Sequence, residues 1–276
     1  MTTPDEGAPP SPDAVLHRLE VFYDAVPRPS SHTEEVGPFT LFVADQGWPF
    51  YARPRLDSDH AFSVADVEKV RKRQRDLGLP ESMEWVHDTT PSLLDAARAS
   101  RLDVHEHPML VLDTPLEVAA PEGVRVRRLD PDDADLARAR AVAEIGFGQL
   151  DTKVGPSGPA ERDHAARAMT EKSLEQPRRL MGEGRLATAV AEDDGGPLAV
   201  GSHQVAGDVS EIVGVATLPT ARRRGLGAAV TAALVSDARG RGVDLVFLSA
   251  SDDAVARVYQ RVGFRLVGTA CVAEAP

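Results

Sequence analysis

A single cysteine, Cys271, stands in the 276 residues, so no disulfide can form within the chain. Lysine is nearly as scarce: Lys69, Lys72, Lys153 and Lys172 are all there are, and the rest of the positive charge is arginine. A basic surface is missing too. The formal net charge is -12 and the dense basic runs are short, which argues against a dedicated nucleic-acid binder, because phosphate neutralisation needs such a surface. No apolar run approaches the roughly 18 residues that a membrane span requires. The opening MTTPDEGAPPSPD has neither the basic nor the apolar region of a signal peptide, so a cytoplasmic protein without a membrane partner is expected. Residues 1–12, rich in Pro, Gly and acid, are expected to form a disordered leader.

What is present suffices for two modest cores or one large one, since 42% of the residues are hydrophobic, and two domains is the better expectation. The spacing of Val15, Leu16, Leu19 and Phe22 predicts a helix over 13–25. PFTLFVA (38–44) and WPFYARP (48–54) read as strands joined by a turn at 45–47. Ser63 with Asp66 forms a capping-box start for a helix that Gly78 stops. MEWVHD is a strand, Thr90-Pro91 opens a helix, and HPMLVLD is a further strand. DTPLEVAAPEG (113–123) is expected to link a first domain over 13–112 to a second over 124–276.

In the second domain VRVRRLD is a strand, followed by a helix from Asp130-Pro131 to about Phe147. GQLDTKVGPSGP (148–159) has the turn-formers of a flexible loop, and another helix continues to about Leu174. LATAVAED, PLAVGSHQVAG and SEIVGVATL form three antiparallel strands. A helix then runs to Arg239, VDLVFLSA is a strand, a helix covers 253–262, and FRLVGTACVAE closes the sheet. A gapless shift of 162 positions lays Gly240 on Gly78, Phe247 on Trp85, and the helix at Asp253 on the helix at Pro91. Identities are few, but the element order agrees, which suggests two copies of one fold.

The chemistry concentrates in EIVGVATLPTARRRGLGAAV (211–230). An apolar strand stops at Pro219, three arginines follow, and Gly225-Leu226-Gly227 opens a helix. Unsatisfied N–H groups at a helix start stabilise an anion, and glycines let the backbone approach a phosphate without a Cβ in the way. A nucleoside-triphosphatase loop would continue Gly-Lys-Ser or Gly-Lys-Thr, whereas Ala228 and Ala229 follow here. A dinucleotide fingerprint needs a parallel unit, whereas the preceding strand belongs to a meander. Arg222-x-x-Gly225-x-Gly227, with Thr217-x-Pro219 before it, resembles the acyl-CoA pyrophosphate loop of the GNAT superfamily of N-acetyltransferases. ASDDAVARVYQRVGF (250–264) resembles that family's second motif, a short helix with a tyrosine that ends in Gly-Phe, here Tyr259, Gly263 and Phe264. The resemblance spans about 124–274.

This resemblance implies an α+β fold, a mixed and mostly antiparallel sheet flanked by helices, and with the 162-residue shift it points to two tandem copies. It implies an acyl-CoA N-acyltransferase that uses acetyl-CoA as co-substrate, without a metal, to acetylate a primary amine of a small molecule or protein. Thr217, Leu218, Arg222, Arg223, Arg224, Gly225, Leu226, Gly227 and Ala228 would line the cofactor, Arg223 and Arg224 either steering it or simply solvated. Asp252 stands where many members carry an asparagine that bonds the pantetheine arm.

Direct attack on a thioester needs a base, a donor for the oxyanion and an acid for the thiolate. The resemblance makes Tyr259 the acid. The other reading of Tyr259 is an aromatic packed at helical spacing with Val255 and Val262. A main-chain N–H at Thr217 or Leu218 would be the oxyanion donor. Glu211, eleven residues before Arg222, has the spacing of the base in the histone-acetylating branch and would act through a water. Strand period places Glu211, Val213, Val215 and Thr217 on one face. An exposed strand-end role for Glu211, and His203 or Glu144 as the base, stay open. His105 and His107 read as two strand histidines on one face, and Cys271 as core.

Under the shift, Arg222, Gly225, Gly227 and Tyr259 fall on His60, Ser63, Ala65 and Ala97, so the first copy is expected to lack a cofactor site. It would complete the fold, wall the acceptor pocket or present an interface, and a homodimer is one expected assembly. The competing class is a non-catalytic acyl-CoA-binding sensor or an inactive partner subunit.

Overall fold

The computed structural model describes residues 11–45, 51–115, 117–149 and 153–276. Residues 1–10 of the expected leader, and most of the expected turn at 45–47, lie outside them. The elements in chain order are α1 (Pro12–Ala25), β1 (Ser31–Val36), β2 (Phe39–Ala44), β3 (Ala52–Pro54), α2 (Val64–Asp76), β4 (Ser82–Val86), α3 (Ser92–Ala99) and β5 (Asp103–Leu112). There follow β6 (Arg125–Arg128), α4 (Leu136–Phe147), α5 (Pro159–Ala168), α6 (Glu171–Gly182), β7 (Leu186–Asp193), β8 (Gly196–Ala206) and β9 (Val209–Thr217). The chain ends with α7 (Leu226–Gly240), β10 (Leu245–Ser249), α8 (Asp253–Gln260) and β11 (Phe264–Glu274). The fold is α+β with mostly antiparallel pairing. No helix among the described residues is long and apolar enough to cross a membrane.

Two compact units divide the chain, one running to Met109 and including Val267–Pro276, the other Leu110–Leu266. In the first, the strand order is β1-β2-β3-β4-β11-β5. Its core joins Phe39, Leu41, Trp85 and Leu93 to Val67 and Val70 of α2. Cys271 is buried there opposite Trp85, because β11 pairs antiparallel with β4. The sequence pattern predicts that the last strand closes the sheet of the second domain. Its residues from Val267 onward belong to the first unit instead, since an apolar strand pattern does not name the strand it will pair with. Strand β1 escaped the sequence reading because SHTEEV buries only its two ends, Ser31 and Val36, and shows no alternation.

In the second unit the order is β5-β10-β9-β8-β7-β6, with β6 to β9 antiparallel and β9 parallel to β10. Helix α7 lies so close to one face that a Cβ on Gly201 of β8 would stand 3.0 Å from both Val230 and Leu234. Helix α4 covers the opposite face, where a Cβ on Gly146 would meet that of Ala216 at 2.9 Å. Helix α4 begins at Leu136, later than expected from Pro131, because the Asp133 carboxylate accepts the N–H of Asp135 at 2.9 Å and holds a turn there. The helix expected to end near Leu174 is two helices. Met169 is extended, and the Thr170 side chain caps α6, which continues to Gly182. The expected linker is not free, since Val118 and Val124 pack on the second core and the N–H of Asp113 donates to the Gly263 carbonyl at 2.9 Å.

The 162-residue shift holds in the elements. It brings the first residue of α2 onto that of α7, and starts β4, α3 and β5 within one residue of β10, α8 and β11. Strands β3 and β4 are also parallel, like β9 and β10.

Candidate active site

The site grows from the end of β9. Among the described residues its pairing with β10 stops at Phe247 opposite Glu211, while its pairing with β8 continues to Thr217 opposite Ala199. Beyond that, the N–H of Leu218 donates to the Leu198 carbonyl at 2.9 Å. This removes Leu218 from the expected oxyanion donors. Hydrogen-bonded and non-bonded pairs alternate along an antiparallel ladder, so Thr217 turns its N–H away from β8, toward the side that β10 has left. Thr217 is thus the amide at the gap.

A bulge sits between these points. Val200 faces Ala216 and Ser202 faces Val213, so Gly214 and Val215 together oppose Gly201. Gly214 adopts φ +65, which glycine reaches without strain. The extra residue reverses the alternation. Residues directly opposite share a face, so Thr217, with Ala199, points to the α7 side, while Glu211 and Val213, with Gln204 and Ser202, point to the α4 side. The expectation that Glu211, Val213, Val215 and Thr217 share one face is therefore wrong. An isolated glycine inside a strand pattern is the sequence signal for such a bulge, and Gly214 supplied it.

After Leu218 a 3₁₀ turn, Pro219–Ala221, leads into the arginines. Gly225 holds φ +80 at the N-cap of α7, and no side chain caps this helix. Among the described residues the N–H groups of Leu226, Gly227 and Ala228 have no acceptor. The Leu226 side chain is core, leaving only its amide for a ligand. Arg223 and Arg224 are exposed beside these amides. Arg222, expected to line the cofactor, turns its guanidinium onto the protein, donating to the Lys153 carbonyl at 3.0 Å and the Gly146 carbonyl at 2.9 Å.

On α8, Tyr259 is half-buried, edge-on to Phe264 at 6.1 Å between ring centres, and its hydroxyl has no hydrogen-bond partner among the described residues. Burial pushes the phenol up to about 12. Asp252 is the N-cap of α8, one oxygen of its exposed carboxylate accepting the Val255 N–H at 2.9 Å. Glu211 is half-buried on β9, and Glu144 is exposed on α4. His203 is no base for an incoming amine. It is fully buried, one ring nitrogen 2.8 Å from the Ser210 hydroxyl and the other 2.9 Å from the Asp237 carboxylate. In the first unit the rings of His105 and His107 lie nearly parallel on one strand. Among the described residues no three His, Cys, Asp or Glu gather as a metal site would require.

The counterpart helix start in the first unit carries its own anion. Asp66 accepts the N–H of Ser63 at 3.0 Å, and the Ser63 hydroxyl accepts the N–H of Asp66 at 3.4 Å, closing the predicted capping box. Burial raises the Asp66 carboxyl, but hydrogen bonds from Ser63 and His60 outweigh this and hold it below its ordinary value. A phosphate arriving there would meet a carboxylate.

A meander parting from its parallel neighbour thus lies beside a helix opened by bare amides, the kind of helix start that favours an anion. Residues 158–264 match the acetyltransferase (GNAT) family. No curated protein sequence matches the chain. Among solved structures, a GCN5-related N-acetyltransferase from Kribbella flavida superposes with TM-score 0.68 and 22% identity over 95% of each chain. One from Sphaerobacter thermophilus gives 0.55 and 17% over 96% of this chain and 93% of its own. A tandem GNAT protein of the clavulanic acid biosynthesis pathway gives 0.56 and 16% over 90% and 84%. At such identities the likeness is one of fold, and with the tandem protein it extends over both halves.

Proposed function

We propose that the second half transfers an acetyl group from acetyl-CoA to a primary amine, of a small molecule or a protein, by direct attack. The observation that carries this is the gap opened where β9 leaves β10, with the Thr217 amide facing it and the amides of 226–228 at its end. Those amides suit a diphosphate, and the exposed Arg223 and Arg224 add positive charge beside it. The bound carrier supplies an activated acetyl thioester. The Thr217 N–H donates to the oxygen that gains charge as the amine attacks, an effect worth about 3 kcal/mol for one such donor. Glu211 takes the ammonium proton through water.

Tyr259 meets the leaving sulfur as a phenol, since at about 12 it keeps its proton through neutral pH. A thiol, near 8.5, is the stronger acid. Tyr259 therefore works mainly by hydrogen bonding to the departing thiolate, a bond to charge of about 1.5–3 kcal/mol.

Thioester-dependent thiol release over a panel of amines tests this. With an accepted amine, Y259F is expected to lower kcat about 10- to 100-fold while CoA affinity stays near wild type. E211Q should lower kcat most below the amine's own pKa. Tight CoA binding with no release for any amine, in the wild type as in both variants, would instead mark a sensor or an inactive partner subunit. A protein that CoA fails to protect against heat would have in this loop no more than a turn.

A further inference from the structure

Arg222 bridges two segments that the chain brings together from afar. One terminal nitrogen of its guanidinium reaches the carbonyl of Gly146, at the end of α4, and the other that of Lys153. The second of these segments is also stitched directly to the turn that carries Arg222. The N–H of Gly155 donates to the Pro219 carbonyl at 3.2 Å, and the N–H of Thr220 to the Ser157 carbonyl at 3.1 Å. The next residue, Arg223, holds φ +63, a left-handed conformation that costs a non-glycine residue about 1–2 kcal/mol. A turn under that strain keeps its shape only when contacts from outside fix it. Arg222 also fixes the neighbourhood of the oxyanion donor, since a Cβ on Gly146 would lie 3.4 Å from the Thr217 nitrogen.

We infer that Arg222 is a positioning residue: by holding the carbonyls of Gly146 and Lys153 it sets the 153–158 segment and the end of α4 against the 219–223 turn, and so aims the cofactor amides without its side chain serving as a phosphate ligand. This rests on the acyl-CoA reading for its functional consequence, and on the apo fold alone for its structural one. A planar guanidinium can serve two carbonyls at once, which a lysine ammonium on its single stem cannot reproduce in the same geometry.

The test compares R222K and R222Q by hydrogen–deuterium exchange of the ligand-free protein and by CoA titration calorimetry at low and high salt. If Arg222 positions the turn, both variants lose protection about tenfold in peptides covering 153–158 and 218–222. Both then bind CoA more weakly by a similar factor, and the salt dependence of binding stays that of the wild type. G155A, whose new Cβ would stand 3.1 Å from that of Pro219, keeps every arginine and should reproduce the exchange result. R222K behaving as wild type in both measurements, while R222Q alone loses CoA and salt dependence, would assign the side chain to the phosphates and overturn the inference. Unchanged exchange in both arginine variants would overturn it as well. If the wild-type protein binds no CoA, the cofactor reading fails, and the exchange measurement still decides the positioning role by itself.

Discussion

Gly225 and Gly227 stand two residues apart and are glycines for different reasons. Gly225 holds φ +80, where an alanine costs about 1–2 kcal/mol however much room surrounds it. Gly227 lies within α7, and a Cβ there would touch Val215 at 3.7 Å and Thr217 at 3.8 Å, ordinary contact distances. G225A is therefore expected to destabilise by about 1–2 kcal/mol and to weaken CoA binding about tenfold as the amides turn away. G227A should bind CoA within about threefold of wild type and gain up to about 1 kcal/mol of helix stability. Calorimetry with thermal melts checks both, and equal losses of CoA affinity would mean that both positions need the bare backbone. The sequence presents the two glycines as one motif, because a motif spells residue types and not torsions. For the same reason the left-handed Arg223 was invisible in a run of three like charges. R223G should raise stability by about 1 kcal/mol through relief of that strain.

At the scale of elements, the meander and the helix after it were legible in alternation and in the glycine turns, while the direction each side chain takes along β9 was not. Period-two reasoning is sound until an extra residue enters, and Gly214 enters between Glu211 and Thr217. The ladder also decides what pattern cannot: which of Thr217 and Leu218 keeps its N–H is set by the alternation of bonded pairs against β8. Helix α4 bears on the same spot, because Gly146 allows it to approach β9 to the point where a Cβ would meet that of Ala216 at 2.9 Å. Neither alanine can yield, as both are short and fixed to the backbone. G146A should push α4 off the strand end and lower thiol release about tenfold or more, with a smaller change in CoA affinity. A variant that loses CoA binding and turnover in equal measure would place the damage in the cofactor cradle instead.

Across the whole molecule, the two halves share an element order that the sequence revealed through a fixed shift, yet they keep their buried charge differently, which similarity of pattern could not show. In the first, burial pushes Glu84 of β4 from 4.5 up to about 7, even with Arg53 at 3.9 Å. A carboxyl raised in this way binds more protons folded than unfolded between those values. Its contribution is therefore complete below about pH 4.5 and is lost as pH rises through 7, by at most about 3 kcal/mol. In the second half, burial holds His203 below its ordinary 6.5, although Asp237 pulls the other way. The folded state then binds fewer protons than the unfolded one, so that contribution is present above about 6.5 and is lost as pH falls through the folded value. Alkali should weaken the first half and acid the second. Thermal melts from pH 5 to pH 8 separate them: E84Q is expected to raise the midpoint by several degrees at pH 8 and little at pH 5, with Arg53 still paired to Glu20 at 3.2 Å. H203Q should flatten the acid limb and leave the alkaline limb as it was. An E84Q midpoint that drops at pH 8 would mean that Arg53 stabilises the ionised Glu84 by more than its burial costs, and the first half would then owe stability to that ion pair.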